Sequence, residues 1–192
     1  MPRVLFLTAY PLDDASCRYR VHQFVPHLEQ AGYEVTISTF ASPRLFSILK
    51  HRGKLVFKAL HTLYNSARRI ARLSNLSDFD FIVIHREAFP FFAPFMENWL
   101  VSRASGKSPR PKIIFSFDDA IYAGHHDTST LSHPWLYRVK HGRGYEQVIR
   151  RSDHVIVGNR ILAAYARKLN PSVSVVPTVV DCHYYRMNPL AT

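Results

Sequence analysis

Six short runs of apolar, largely β-branched residues recur along the chain: Val4 to Thr8, Glu34 to Thr39, Phe79 to Ile84, Lys112 to Phe117, His154 to Gly158 and Val173 to Val176. They are nearly continuous rather than alternating, which is the pattern of parallel strands covered on both faces. Helix-forming stretches separate them, so the chain predicts an α/β fold built on an open parallel sheet. After the first run, Val21, Phe24, Val25 and Leu28 share one helical face; Pro26 should bend that helix and Gly32 should end it. Asn159 stands where an N-cap belongs, and Asn170-Pro171 stops the helix that follows. Between the second and third runs, Val56, Leu60, Leu63, Ala67 and Ile70 recur at helical spacing, opposite Lys54, Lys58, His61, Asn65, Arg68 and Arg72. The expectation is that this stripe packs on the sheet and the charged side meets solvent. The alternative is a patch, Lys54, Lys58, Arg68 and Arg72 among it, that binds anionic lipid or a phosphate-bearing acceptor. Phe89, Phe91, Phe92, Phe95 and Trp99 fall in a Pro-punctuated segment before a helix and read as core.

Charge and cysteine usage narrow the function classes. Of 192 residues, 25 are Lys or Arg and 14 are Asp or Glu, a net charge of +11 that points to an anionic partner. No acidic residue occurs between Val35 and Ser77, the main source of that charge. Cys17 and Cys182 fit neither a disulfide framework nor a zinc site, and the usage suits a reducing cytoplasm. No run approaches the roughly 18 apolar residues of a membrane span. The sequence lacks GxGxxG after the first strand and GxxxxGK[ST] anywhere, against a nucleotide-sugar epimerase or dehydrogenase and a P-loop phosphotransferase. His125, His126, Asp127 and His133 occupy a Gly/Ser/Thr-rich stretch without ligand spacing, so no metal site is expected. The aromatics carry no RNA-binding or helix-turn-helix pattern, so nucleic acid is not an expected partner.

Ligands of open α/β sheets bind beyond the carboxyl ends of the strands. There the sequence places Asp13, Asp14, Ser16, Arg18 and Arg20 after the first strand, His85, Arg86 and Glu87 after the third, Asp118 and Asp119 after the fourth, and Asn159 after the fifth. Arg18 and Arg20 near a helix N-terminus would suit an anion. The adjacent carboxylates could hold sugar hydroxyls, act as a base or bind a metal, one neutralised by the other's charge. Ser16 and Asn159 also read as helix caps, and the arginines and carboxylates as surface ion pairs. No Ser, His and Asp set stands out as a nucleophilic triad.

In order along the chain, RVLFLTAY with SCRYRVHQFVPHLEQAGYEV, FDFIVIHREAFP, KIIFSFDDAIY, SDHVIVGNRILAAYARKLN and VSVVPTVVD resemble the N-terminal half of family 4 retaining glycosyltransferases. Those enzymes have the GT-B architecture of two facing Rossmann-like domains. The resemblance implies a Rossmann-like domain over 1–183 that binds the acceptor, with 184–192 starting an interdomain linker. A C-terminal donor-binding domain would lie beyond, because the Glu-x7-Glu donor motif is absent here; this half alone should not turn over. It further implies sugar transfer from a nucleotide-sugar to a glycan or lipid-linked acceptor with retention, without a required metal or other cofactor. The expected location is cytoplasmic, with peripheral contact at the inner face of a membrane.

By the same resemblance, Ser16, Arg18 and Arg20 face the interdomain cleft, Arg86 and Glu87 line the acceptor side, Asp118 and Asp119 are the catalytic candidates near the transferred sugar, and Asn159 marks the cleft end of the fifth strand. Where many members carry Gly-Gly in the first loop, this chain has Leu12-Asp13-Asp14-Ala15, so the likeness does not extend to the donor-phosphate contact made there. The competing expectation is a stand-alone, non-catalytic module binding a glycan, a nucleotide or an anionic membrane.

Overall fold

The apolar runs become strands β1 (Arg3–Thr8), β2 (Glu34–Thr39), β3 (Phe81–His85), β4 (Lys112–Phe117), β5 (His154–Val157) and β6 (Val173–Val175) in a computed structural model that describes residues 1–49, 55–90, 94–121 and 144–182. They form one sheet in the order β2-β1-β3-β4-β5-β6, and every neighbouring pair is parallel. The fold is a Rossmann-like α/β sheet. The third strand starts two residues later than its apolar run and reaches His85, because Asp80 is spent fastening the strand starts: its carboxylate accepts from Arg3 N and its carbonyl from Lys112 N.

Parallel crossovers are right-handed, so the direction of travel along the sheet decides which face each helix covers. The β1 to β2 connection runs one way and the others run back. One face therefore receives only the first connection, whose Val21 and Leu28 pack with Val4, Phe6 and Val83. The other face carries the larger core, where Leu7, Ile84, Phe115 and Val157 meet Leu45, Leu100, Val148 and Leu162. Strand residues alternate between these faces although the runs look uniformly apolar.

The first connection is broken rather than bent. Helix α1 (Ala15–Arg20) ends at Val21, a 3-10 turn spans His22–Phe24, and α2 (Val25–Gln30) begins with Pro26 in its first turn. Proline has no N–H to give to the carbonyl four residues back, so the chain restarts there. Gly32, at φ +88, ends α2 as expected. Helices α3 (Pro43–Leu49), α4 (Leu55–Arg72), α5 (Phe95–Ser105), α6 (Gly144–Arg151) and α7 (Arg160–Ala166) complete the described elements, with a 3-10 segment at Leu73–Asp78. Phe89 is buried as expected, but Phe95 and Trp99 of α5 are exposed; the phenyl is on the outer side of the helix whose Leu100, Val101 and Ala104 fill the core. Phe91 and Phe92 lie outside the described residues, as do Lys54 and the stretch from His125 to His133.

Helix α4 is turned over relative to the expectation. Its apolar stripe faces solvent, with Val56 75%, Leu60 60% and Leu63 66% exposed, while Asn65, Ser66 and Arg69 are buried. Polar burial is tolerated because most of these groups are paired, the Arg69 Nε being the exception. Asn65 donates to the His61 carbonyl and Ser66 to that of Thr62, both at 2.7 Å. Arg69 reaches the carboxyl ends of the sheet: Nη1 donates to the Ala88 carbonyl at 2.7 Å, and Nη2 to those of Thr8 at 3.0 Å and Ser38 at 2.5 Å. Its guanidinium lies 5.6 Å from the Phe40 ring centre and 6.0 Å from that of Phe89. Two core 3-10 residues, Leu73 and Leu76, continue the inward side.

Replacing this buried cation takes a donor from three carbonyls at once, of which that of Thr8 keeps its bond from Phe40 N at 2.9 Å. Arg69→Met should lower unfolding free energy by about 3 kcal/mol or more, and Arg69→Lys should recover little because an ammonium cannot span the same acceptors. Urea denaturation checks both.

Candidate functional site

The strand order reverses direction between β1 and β3, which opens a crevice at their carboxyl ends. Three side chains meet there. His85 is the last residue of β3, Asp118 follows β4, and Ser16 comes from α1. Strand alternation brings the first two together: Phe81, Val83 and His85 point to the α1 face, as do Ile114, Ser116 and then Asp118. Asp14 caps α1, accepting from Cys17 N at 3.0 Å, which leaves Ser16 free to reach across. Ser16 Oγ donates to Asp118 Oδ2 at 2.9 Å and lies 3.0 Å from His85 Nε2.

Proton counting orients this chain. The single Ser16 proton goes to the carboxylate, so His85 must supply the proton of its own bond from Nε2, leaving Nδ1 as a lone-pair acceptor. Burial holds the imidazole pKa down at about 4, against a smaller opposing pull from Asp118, so it is neutral at pH 7. The order is the reverse of a nucleophilic triad, because histidine donates to serine rather than accepting from it. His85 Nδ1 and Asp118 Oδ1 are both buried without a hydrogen-bond donor. The cluster thus holds two unmet acceptors, closed off from solvent.

Arg20 is buried beside the cluster, its Nη1 donating to the Val176 carbonyl; burial lowers its pKa while Asp118 opposes the shift. With His85 and Ser116 it forms the polar end of a cavity of about 310 Å³ otherwise lined by apolar residues such as Phe6, Val83 and Ile156. Arg18 does not join it. It faces a separate surface cavity with Asp13 and Asp181, its guanidinium 5.1 Å from the Tyr19 ring. Both arginines stand in the last turn of the six-residue α1, and they line different cavities. Cations are favoured at that end by the helix dipole.

The two carboxylates also part company. Asp118 turns inward to Ser16, whereas exposed Asp119 pairs with Arg86 Nη2 at 3.0 Å. Arg86 is the one non-glycine residue with positive φ among the described residues, at 59°, a conformation costing about 1 kcal/mol or more. This turn is braced: Arg86 N donates to the Ser116 carbonyl at 2.7 Å, and the N–H groups of Ala88 and Phe89 donate to buried Glu97 Oε1 at 2.9 and 3.0 Å. Glu87 accepts from the Tyr145 hydroxyl at 3.2 Å, a phenol whose pKa burial raises well above its ordinary value. Asn159 serves as the N-cap of α7, accepting from Leu162 N at 2.9 Å. Gly158 was not among the candidates, yet a side chain there would lie 3.1 Å from Asp118 Cα, so glycine lets β5 approach the site. His85, expected just after β3, is instead its last residue, and the phase of that strand turns it inward. Cys17 is buried with its thiol pushed up to about 12, so it is no nucleophile. Among the described residues, no three His, Cys, Asp or Glu side chains are grouped as a metal would need.

No protein-family model matches the chain, and no curated protein does. Among solved structures, it is similar to an alpha-glucosyltransferase in complex with UDP-glucose and DNA containing an abasic site, at 15% identity and a TM-score of 0.48. The match covers 93% of this chain and 43% of that one, so this chain spans less than half its length. So distant a likeness assigns no activity.

Buried His85 and Glu97 set opposite pH slopes. Below pH 6.5 the unfolded chain protonates His85 while the fold resists until about 4, so that contribution to stability is lost as pH falls. Burial raises Glu97 from 4.5 to about 7, so the fold keeps a proton the unfolded chain releases, and stability is lost as pH rises through that window. Glu97→Gln removes the second effect. Between pH 4.5 and 7 it should gain about 2–3 kcal/mol relative to the wild type, measured by urea unfolding across that range.

Proposed function

We propose that this domain is the acceptor-side half of a glycosyltransferase that moves a sugar from a nucleotide-sugar to a glycan or lipid-linked acceptor with retention. The observation that carries the proposal is the His85, Ser16 and Asp118 cluster at the sheet's switch point, where two shielded acceptors await donors. Sugar hydroxyls are such donors, and the order of motifs along the chain agrees with the resemblance to family 4. In the reaction, the bond from the anomeric carbon to the diphosphate oxygen breaks and one to an acceptor hydroxyl oxygen forms. The hydroxyl proton passes to the departing diphosphate oxygen, and the nucleoside diphosphate leaves with the bonding pair. Asp118 and His85 orient hydroxyls on this side; Arg20 adds positive charge beside them. Asp119, paired with Arg86 on the exposed rim, shapes the approach to the site. Linker and donor-binding half belong to the proposal: residues 184–192 lie outside those described.

The test is release of nucleoside diphosphate from a panel of nucleotide-sugars by the full-length protein. Asp118→Asn should cut the rate about 10- to 100-fold, the worth of a hydrogen bond to a charged group, while Asp119→Asn should change it less than about threefold. Glycan binding that depends on Asp118 without any diphosphate release would instead identify a binding module.

A further inference from the structure

The outward side of α4 is a second surface that the transfer reaction does not use. Val56, Phe57, Leu60, Leu63, Tyr64 and Ile70 are all exposed along a helix of 18 residues, about 27 Å at 1.5 Å per residue. On a helical wheel they are ordered: the aliphatic residues occupy the centre, Phe57 and Tyr64 border them on one side, and Arg68 and Arg72 lie beyond the aromatics. Arg44 of α3 adds to this flank, sharing a surface cleft with Phe57, Tyr64 and Arg68. Lys58 sits on the inward side and is half-buried, and Arg68 Nη2 donates to the Thr39 and Phe40 carbonyls at 3.2 and 3.4 Å; the basic side of the patch therefore consists of exposed Arg44 and Arg72 with the remaining N–H groups of Arg68. From Val35 to Ser77 no acidic residue offsets them.

We infer that α4 docks this domain on an anionic phospholipid bilayer, its aliphatic stripe entering the acyl boundary and its arginines meeting the headgroup phosphates. The succession of aliphatic, aromatic and cationic positions matches the depth profile of a bilayer surface, in which amphipathic rings sit between hydrocarbon and headgroups. Charge complementarity selects an anionic surface over a neutral one. The stripe lies along one side of a helix whose opposite side is held to the domain by Arg69, which suits contact with a surface; no described helix is long and apolar enough to cross a membrane. Bilayer docking and sugar transfer are separate properties, and either can fail alone.

Co-sedimentation of the 192-residue chain with phosphatidylcholine vesicles, with and without phosphatidylglycerol, provides the test. Binding should require the anionic lipid and weaken with salt. Leu60→Ser with Leu63→Ser keeps the charge and touches only exposed positions; it should weaken binding about tenfold or more with an unchanged melting temperature. Leu63→Trp should show a blue-shifted emission on anionic vesicles alone. Undiminished binding of the serine variant would reduce the effect to attraction of a basic chain and overturn the insertion. Absence of vesicle binding, or a concentration-dependent dimer that the same serines abolish, would overturn it in favour of another occupant.

Discussion

The buried guanidinium of Arg69 is the constraint from which much of this architecture follows. Parallel strands end with carbonyls pointing past the sheet, and those of Thr8 and Ser38, together with Ala88 beyond β3, all accept from Arg69, that of Thr8 in addition to its bond from Phe40 N. One planar cation with several N–H groups satisfies all three. Placing it there requires the polar side of α4 to face the body, and the same rotation carries Leu60 and Leu63 into solvent. Burial is severe enough to lower the arginine's pKa to about 9, against a smaller pull from Glu97, yet the group remains charged at neutral pH. Arg69 and Glu97 grip Ala88 from opposite sides, one at its carbonyl and the other at its N–H. The turn after β3 is thereby held, and with it the left-handed Arg86.

That turn sits at the mouth of the candidate site. Its strain is offset by a backbone bond to β4, so Arg86 and Glu87 leave the sheet in fixed directions toward Asp119 and Tyr145. On the inner side, His85, Ser16 and Asp118 come from β3, α1 and the end of β4. A site assembled from rigid element ends needs little reorganisation when a ligand arrives. The exposed Arg86–Asp119 pair contributes at most about 1 kcal/mol, so its place in the structure is one of shape and charge rather than stability.

Two surfaces then divide the molecule's chemistry. The switch-point crevice offers acceptors shielded from water, whereas α4 offers apolar area bordered by arginines. Both lie toward the carboxyl ends of the strands, since Arg69 of α4 touches the ends of β1 and β2. A bilayer-held acceptor would therefore meet the same end of the sheet as the His85 cluster.

Strand identity was legible in the chain because continuous β-branched runs such as KIIFSF are compatible with little else than a covered parallel strand. The helix over Leu55–Arg72 was equally plain from its period, as were the Asn159 cap and the stop at Gly32, all local properties of backbone and side chain. Which side of that helix turned inward was not local. Periodicity identifies two faces, but their assignment depended on three carbonyls brought together from distant parts of the chain, whose bonds to Arg69 outweighed burial of Leu60 and Leu63. The site divides in the same way. Asp118 was visible as a carboxylate after a strand, but its partnership with Ser16, 102 positions away, and with His85 required the sheet order and the phase of β3 and β4. Sequence alone determines the elements, because their causes lie within a few residues; tertiary structure decides partners and faces, because hydrogen-bond demand is settled only where the chain returns upon itself.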